Sequence, residues 1–103
     1  MEFGVVFVTC SEKEAKTIAQ TVVSNKLAAC VNILSQVTSI YTWKGKVEED
    51  QECLLIIKTR KDLFTQLMEK IKSVHSYDVP EIIYLPILDG NPAYLNWIEE
   101  STA

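Results

Sequence analysis

The segment with the only histidine of the chain carries its densest set of chemically able side chains. His75, Tyr77, Asp78 and Glu81 fall within seven residues, and Pro80 stiffens the backbone between them. Imidazole and carboxylate together form a donor set that suits zinc, copper or nickel. One histidine does not supply the two or three imidazoles of a catalytic zinc site. The segment therefore predicts either a metal ligand at His75 or a hydrogen-bonded histidine that caps a helix.

Three cysteines add a second candidate donor set. Their odd number and the lack of CxxC spacing favour reduced thiols over a disulfide framework. Cys30 and Cys53 lie in apolar strands, where a thiol usually packs as a small hydrophobe. Cys10 lies between a strand and a helix, where a helix N-terminus favours the thiolate, so we expect it to be the most reactive thiol. A metal site in this chain would draw on His75, Cys30 and Cys10.

Aromatic and basic side chains form a third candidate group. Tyr41 and Trp43 point the same way along one predicted strand, beside Lys44. Aromatic rings next to amines stack on a ligand or hold an anion, but on a projecting hairpin they more often pack a subunit interface. Lys58, at the end of an apolar strand, either lines a pocket or extends along the sheet edge to solvent.

The first half of the chain predicts a strand, a helix and the beginning of a long hairpin. Residues 3–9 are β-branched and aromatic, which is typical of a strand. Ser11 and Glu14 have the spacing of a capping box that opens a helix, and Asn25 with the next residue closes it. The following strand is predicted over residues 27–34 and continues over 37–43.

The second half predicts two more strands and two more helices. Gly45 permits a hairpin turn, and the return strand runs over residues 46–59. Thr59 and Asp62 have the spacing of a second cap, and apolar residues then recur at helical spacing up to residue 74. A fourth strand is predicted over residues 81–88, and Asn91 with the proline after it opens a short terminal helix.

The element order predicts one α+β domain over residues 1–103 with the ferredoxin-like βαββαβ pattern and a short C-terminal helix. Right-handed crossovers place both long helices on one face of the sheet. Three of the strands are apolar on both faces, so the second face needs a cover that one short helix does not provide. We therefore expect an oligomer, with the hairpin of residues 37–51 projecting toward a neighbour.

Composition excludes several functional classes. The net charge is -4, and the lysines alternate with acidic residues, so the sequence predicts no nucleic-acid partner. No apolar run is long enough to span a membrane, and the first residues do not resemble a signal peptide, so we expect a cytoplasmic protein. No P-loop, GxGxxG motif or nucleophile elbow is present, and the sequence therefore predicts no enzyme and no organic cofactor.

Five blocks of the sequence together resemble one known family. The blocks are LAACVNI at 27–33, SIYTWKG at 39–45, IKT at 57–59, HSYDVPEI at 75–82 and YLNW at 94–97. In this order they resemble the CutA family of divalent-cation tolerance proteins. Ser76 and Asp78 stand where that family usually has proline and glutamate.

The resemblance implies a homotrimer whose sheets pack around a three-fold axis, similar in assembly to the PII signalling proteins. It also implies tolerance of divalent metals and binding of copper or another divalent ion. Carried over by position, the residues of a pocket or subunit interface are the following: Cys30, Tyr41, Trp43, Lys58, His75, Tyr77 and Glu81. Two hypotheses remain open: a metal-binding or metal-response protein, and a trimeric scaffold or signalling module that binds a small ligand or a partner protein.

Overall fold

The computed structural model describes residues 1–103 as a four-stranded antiparallel sheet and three α-helices. The strands are β1 (Phe3–Cys10), β2 (Cys30–Trp43), β3 (Lys46–Arg60) and β4 (Ile82–Pro86). The helices are α1 (Glu12–Ser24), α2 (Phe64–Val74) and α3 (Pro92–Ser101), with a short 3₁₀ turn, Lys61–Leu63, before α2. The predicted α+β fold with the βαββαβ order is confirmed.

The sheet order is β2-β3-β1-β4, so the two central strands are β3 and β1. β1 pairs antiparallel with β3, and Val6 lies opposite Ile57. β4 pairs with the other side of β1 and forms an edge, as Pro86 at its end predicts. The short central strand β1 ends at Cys10, so the outer part of β2 and β3 extends beyond the sheet.

The hydrophobic core lies between the sheet and the two long helices. Strand residues such as Val8 and Leu55 alternate with outward-facing neighbours and have no exposed surface. Ile18 of α1 and Leu67 and Ile71 of α2 are buried against them in the same cluster. Each such side chain contributes roughly 1.5–3 kcal/mol on burial. Both long helices therefore cover one face of the sheet, as predicted.

The hairpin formed by β2 and β3 is the longest feature of the molecule and gives it a maximum dimension of 44 Å. Lys44 and Gly45 have φ angles of 51° and 79°, the pair of positive values that a type I′ turn requires. A β-bulge interrupts the register between Leu34 and Val37. Gln36, within the bulge, has a φ of 59°, a left-handed conformation that is uncommon for a residue other than glycine.

The second face of the sheet is only partly covered. α3 packs against β3 and buries Ile98 completely. Beyond α3, Leu34, Ile83 and Leu85 remain between 40% and 48% exposed. The apolar pattern of the strands predicts such a face without a helix of its own.

Four local predictions are corrected by the structure. Thr59 is not a helix cap, because it is buried in β3 and its hydroxyl donates to the Leu27 carbonyl at 2.7 Å. β2 begins at Cys30 rather than at residue 27, and β4 covers only Ile82–Pro86 rather than 81–88. Ser11 does precede α1, but its hydroxyl donates to the Glu14 carboxylate instead of accepting a backbone N–H.

Candidate functional site

A groove of about 620 Å³ lies between the projecting part of the hairpin and the loop that joins α2 to β4. The hairpin supplies Tyr41, Trp43 and Asp50, and the loop supplies Tyr77 and its successors. The complete lining is Thr9, Ser39, Ile40, Tyr41, Trp43, Asp50, Glu52, Tyr77, Asp78, Val79 and Glu81. Four carboxylates and three aromatic rings line it, and no lysine, arginine or histidine does.

Two tyrosine hydroxyls hold two of the carboxylates in place. The Tyr77 hydroxyl donates to Glu52 Oε1 at 3.0 Å, and the Tyr41 hydroxyl donates to Asp50 Oδ2. Burial and the bond to Glu52 raise the pKa of Tyr77 above its ordinary value. The bond to Asp50 raises the pKa of Tyr41 to about 12. Both phenols therefore remain protonated donors at neutral pH, and the second oxygen of each carboxylate has no side-chain partner.

The bulge in β2 determines which hairpin residues face this groove. Before the bulge, Leu34 lies opposite Leu54, on the face without the long helices. After the bulge, Val37 lies opposite Glu52, so the odd-numbered residues of β2 lie on that face. Tyr41 and Trp43 therefore lie on the same side as Glu52, because side chains alternate along a strand.

His75 follows the last turn of α2, next to the groove. Its ring is fully buried, and both ring nitrogens have hydrogen-bond partners. Nε2 lies 2.8 Å from the Thr9 carbonyl oxygen, and Nδ1 accepts the Tyr77 backbone N–H at 3.1 Å. A carbonyl accepts only and an N–H donates only, so these partners fix the neutral tautomer with the proton on Nε2. The side chain has no solvent exposure. Neither ring nitrogen is free to coordinate a metal in this conformation.

Glu14 of α1 is the centre of the hydrogen bonds that hold the same loop. Its carboxylate accepts from the Ser76 N–H at 3.0 Å and from the Ser76 and Ser11 hydroxyls at 2.7 and 2.6 Å. Burial opposes its charge, but the hydrogen bonds from the two serines outweigh burial and lower its pKa. Glu14 therefore fixes the backbone from which Tyr77 enters the groove.

Cys10 is not the reactive thiol that its position in the sequence suggests. The side chain is completely buried in the core. Burial first, and then the nearby Cys53, Glu14 and Glu52, raise the pKa of Cys10 to about 12. The prediction of a reactive Cys10 is wrong, because the side chain enters the apolar core rather than facing the start of α1.

Cys30 and Lys58 meet at a separate place, on the sheet face beneath α3. The Lys58 ammonium lies 3.8 Å from Cys30 Sγ and donates to Asn32 Oδ1. The Tyr94 phenol of α3 lies against Cys30, and burial and that contact raise its pKa. Cys30 is half-buried, and its partners are an ammonium, a phenol and the Asn32 amide oxygen rather than further thiolates or imidazoles.

The structure thus separates the predicted site residues into three groups. Tyr41, Trp43, Tyr77 and Glu81 line one groove, with His75 behind it. Cys30 and Lys58 form the second group, and Cys10 lies in the core. No three His, Cys, Asp or Glu side chains lie close enough together to hold a metal ion.

Sequence reasoning missed the roles of Glu14, Asp50 and Glu52. Glu14 was assigned to a cap, and its bonds to Ser76 join residues 62 positions apart. Glu52 had a usable signal, because it continues the alternation of Leu54 and therefore lies on the open face. The same alternation places Asp50 on the open face, but its bond to Tyr41 had no signal, because Tyr41 reaches this face only through the bulge.

The comparisons with known proteins agree on one family. The family described as CutA1 divalent ion tolerance protein matches residues 4–101. The chain belongs to this family. Protein CutA of Mus musculus is 56% identical over 97 residues, which cover 93% of this chain and 55% of the mouse protein. The chain thus spans about half the length of its mammalian relatives.

Two solved structures show how closely the fold follows that of relatives. The divalent cation tolerance protein of Thermus thermophilus is 51% identical and has a TM-score of 0.95, with 98% of this chain and 99% of that chain covered. CutA1 of Oryza sativa is 49% identical with a TM-score of 0.96, covering 100% and 95%. Relatives from rice and Arabidopsis thaliana are named as chloroplastic proteins. None of the helices in this chain is long and apolar enough to cross a membrane.

Proposed function

We propose that this protein is a cytoplasmic homotrimer that binds divalent metal ions, copper among them, and contributes to the response to such ions. The observation that carries the proposal is the groove of this CutA-family chain, which Asp50, Glu52, Asp78 and Glu81 line without any basic residue. Such a surface attracts cations, and the net charge of -4 adds to this attraction. The role proposed is binding rather than catalysis.

Within one protomer, carboxylate oxygens are the donors that geometry leaves available to a metal. Asp50 and Glu52 each have one oxygen without a side-chain partner. His75 has no free nitrogen, and Cys10 is buried. Cys30 stays a candidate only for a soft ion that displaces the Lys58 ammonium. We therefore propose carboxylates, rather than His75 and Cys10, as the main ligands.

The trimer is supported by the open face of the sheet. Leu34, Ile83 and Leu85 expose apolar surface there, and α3 covers only the neighbouring part. At the hairpin, Trp43 is 41% exposed and Val47 76%. A surface of this kind favours association of copies of the chain, and the projecting hairpin would reach the adjacent subunit.

The cytoplasmic location is supported by the state of the cysteines. All three thiols are free, which suits a reducing compartment. Fractionation of cells that express the native gene, followed by immunodetection, tests this location; recovery outside the cytoplasmic fraction would contradict it.

Calorimetric titrations with Cu(II), Cu(I) and Zn(II) test the metal function. We expect saturable Cu(II) binding that exceeds Zn(II) binding, following the general order for nitrogen and oxygen ligands. Glu52→Gln should weaken it by about tenfold, since it removes one charged ligand. Glu49→Gln removes the same charge from the same hairpin outside the groove and is the matched control.

The titration of further variants separates the possible donors. His75→Ala should bind copper as the parent does, and Cys30→Ser should affect Cu(I) alone. If all four variants bind copper as tightly as the parent does, the metal sites proposed here are wrong.

Light scattering and thermal unfolding test the assembly. We expect a trimer at micromolar concentration and a melting temperature that rises with protein concentration, because association stabilises by mass action. A monomer at micromolar concentration would contradict the proposal.

A second candidate function, a trimeric scaffold or signalling module without a metal role, is favoured by one observation. The candidate donors do not converge within the protomer, and His75 serves the fold. The absence of saturable metal binding in the titrations above, with the trimer intact, would support this alternative.

A further inference from the structure

We propose that the groove binds an organic ammonium ion and that a protonated aliphatic polyamine is the class of ligand it takes. This goes beyond the metal function, because the ligand is held by ring faces as well as by carboxylates. It requires that the groove be open in the assembled protein, and it does not require that a metal bind.

The size of the groove is the first argument. A volume of about 620 Å³ lies within the range of small-molecule pockets, roughly 300–1,000 Å³. A single metal ion needs several donors within about 2–3 Å of one point, and no three such donors come together here. Carboxylates spread along a large cavity instead match a ligand whose positive charges are themselves spread over a chain.

The walls of the groove are the second argument. Tyr41, Trp43 and Tyr77 line it together with Ile40 and Val79. Aromatic faces attract ammonium groups through cation–π interactions, and aliphatic side chains accept methylene groups. A hydrated metal ion gains nothing from such walls, whereas an alkyl ammonium ion gains from both kinds of contact.

The positions of the acceptors are the third argument. The tyrosine hydroxyls hold Asp50 and Glu52 by one oxygen each, and Asp78 and Glu81 lie across the groove on the α2–β4 loop. Held acceptors lose little conformational entropy when a donor arrives. An ammonium group offers several N–H donors to the remaining oxygens and forms charge-assisted hydrogen bonds.

The hairpin already contains an intramolecular example of the contact. The Lys44 ammonium lies 6.0 Å from the centre of the Trp43 ring, at the limit for a cation–π interaction. The ring face is thus accessible to an alkyl ammonium group. A bound polyamine would reach the same ring from within the groove.

Spermidine is the probe for the test, and Trp43 is the reporter. The chain has two tryptophans, so Trp97→Phe leaves Trp43 as the only one. Trp97 pairs with Tyr94 on α3, away from the groove. In this variant, as the intact assembled protein at 0.15 M salt, we expect a saturable change in fluorescence with one spermidine per protomer. Isothermal titration of the unmodified chain provides the same stoichiometry without the reporter.

Charge and ring variants separate the two kinds of contact. Glu52→Gln should weaken spermidine binding about tenfold, and Glu49→Gln should leave it within about twofold because that residue does not line the groove. Trp43→Leu should weaken binding about fivefold or more, as measured by calorimetry. Tyr77→Leu is the second ring variant, for the case in which Trp43→Leu disturbs assembly in light scattering.

Three results would overturn the inference. These are no saturable binding up to 10 mM spermidine, equal losses in Glu52→Gln and Glu49→Gln, or unchanged affinity in both ring variants. Failure of the metal function is distinguishable, because Trp43→Leu, which removes a ring that bonds to neither Asp50 nor Glu52, should retain Cu(II) binding. A protein that binds spermidine but no metal supports this inference alone, and one that binds metal but no spermidine supports the metal function alone.

Discussion

The buried cluster around His75 and the groove beside it are adjacent and have opposite properties. Tyr77 belongs to both, since its N–H bonds to His75 and its hydroxyl bonds to Glu52. Every polar atom of the His75 ring has a protein partner, whereas the groove retains unpaired carboxylate oxygens and open ring faces. A high density of reactive side chain types in sequence therefore indicates a site only if their hydrogen-bonding capacity remains unused.

His75→Ala should give the largest loss of stability, because it removes the partner of both the Thr9 carbonyl and the Tyr77 N–H and leaves a cavity. We expect a loss of about 2–4 kcal/mol in urea unfolding at a fixed protomer concentration. His75→Gln should recover part of it, since its amide donates to Thr9. Unchanged stability together with lost copper binding would reverse the assignment of His75 from structure to ligand.

Glu14→Gln should cost about 1–2 kcal/mol at pH 7, because charge-assisted bonds to Ser11 and Ser76 are weakened. The folded pKa of Glu14 lies below its ordinary value of 4.5, so its charge stabilises the fold above that value and ceases to do so as the pH falls through the folded pKa. The difference from the parent in urea unfolding should therefore shrink between pH 7 and pH 3. Glu12→Gln, in the same turn of α1, is the control, and a difference independent of pH would exclude this role of the charge.

Glu52→Gln makes the same chemical change in the groove and should have the opposite profile. Its free energy of unfolding should stay within about 0.5 kcal/mol of the parent, because a partly exposed side chain with one hydroxyl bond is replaced by a near isostere. Its affinity for cations should fall. If Glu52→Gln destabilises the fold as much as Glu14→Gln does, the groove is a structural element and the comparison fails.

Cysteine alkylation tests the same difference between buried and accessible groups. Of these changes it should have the smallest effect on the fold. Iodoacetamide at pH 8 should modify at most Cys30 in the native protein, because burial raises the pKa of Cys10 to about 12 and Cys53 is only 1% exposed. Mass spectrometry should show three modified thiols after denaturation and none in native Cys30→Ser. Rapid native labelling of Cys10 would show that the core opens there.

Much of the fold follows from the sequence because its signals are local. Alternation in β1 and β3, helical spacing in α1 and α2, Gly45 at the turn and Asn91 at the start of α3 each predict an element that the structure contains. The apolar second face of the sheet also follows from these patterns. Thr59 shows the limit, because its spacing to Asp62 imitates a cap while its hydroxyl serves a contact 32 residues away.

The sequence by itself determined which elements form and in which order they pair, and it predicts that the loop after α2 carries side chains of a candidate site. Only the tertiary structure decided which of those side chains are available. One extra residue at the bulge near Gln36 reverses the alternation of β2 and turns Tyr41 toward the groove. The Thr9 carbonyl, 66 residues away in sequence, occupies Nε2 of His75, while the Tyr77 N–H of the same loop occupies Nδ1. Both outcomes depend on contacts between separate elements, which no local pattern of residues encodes.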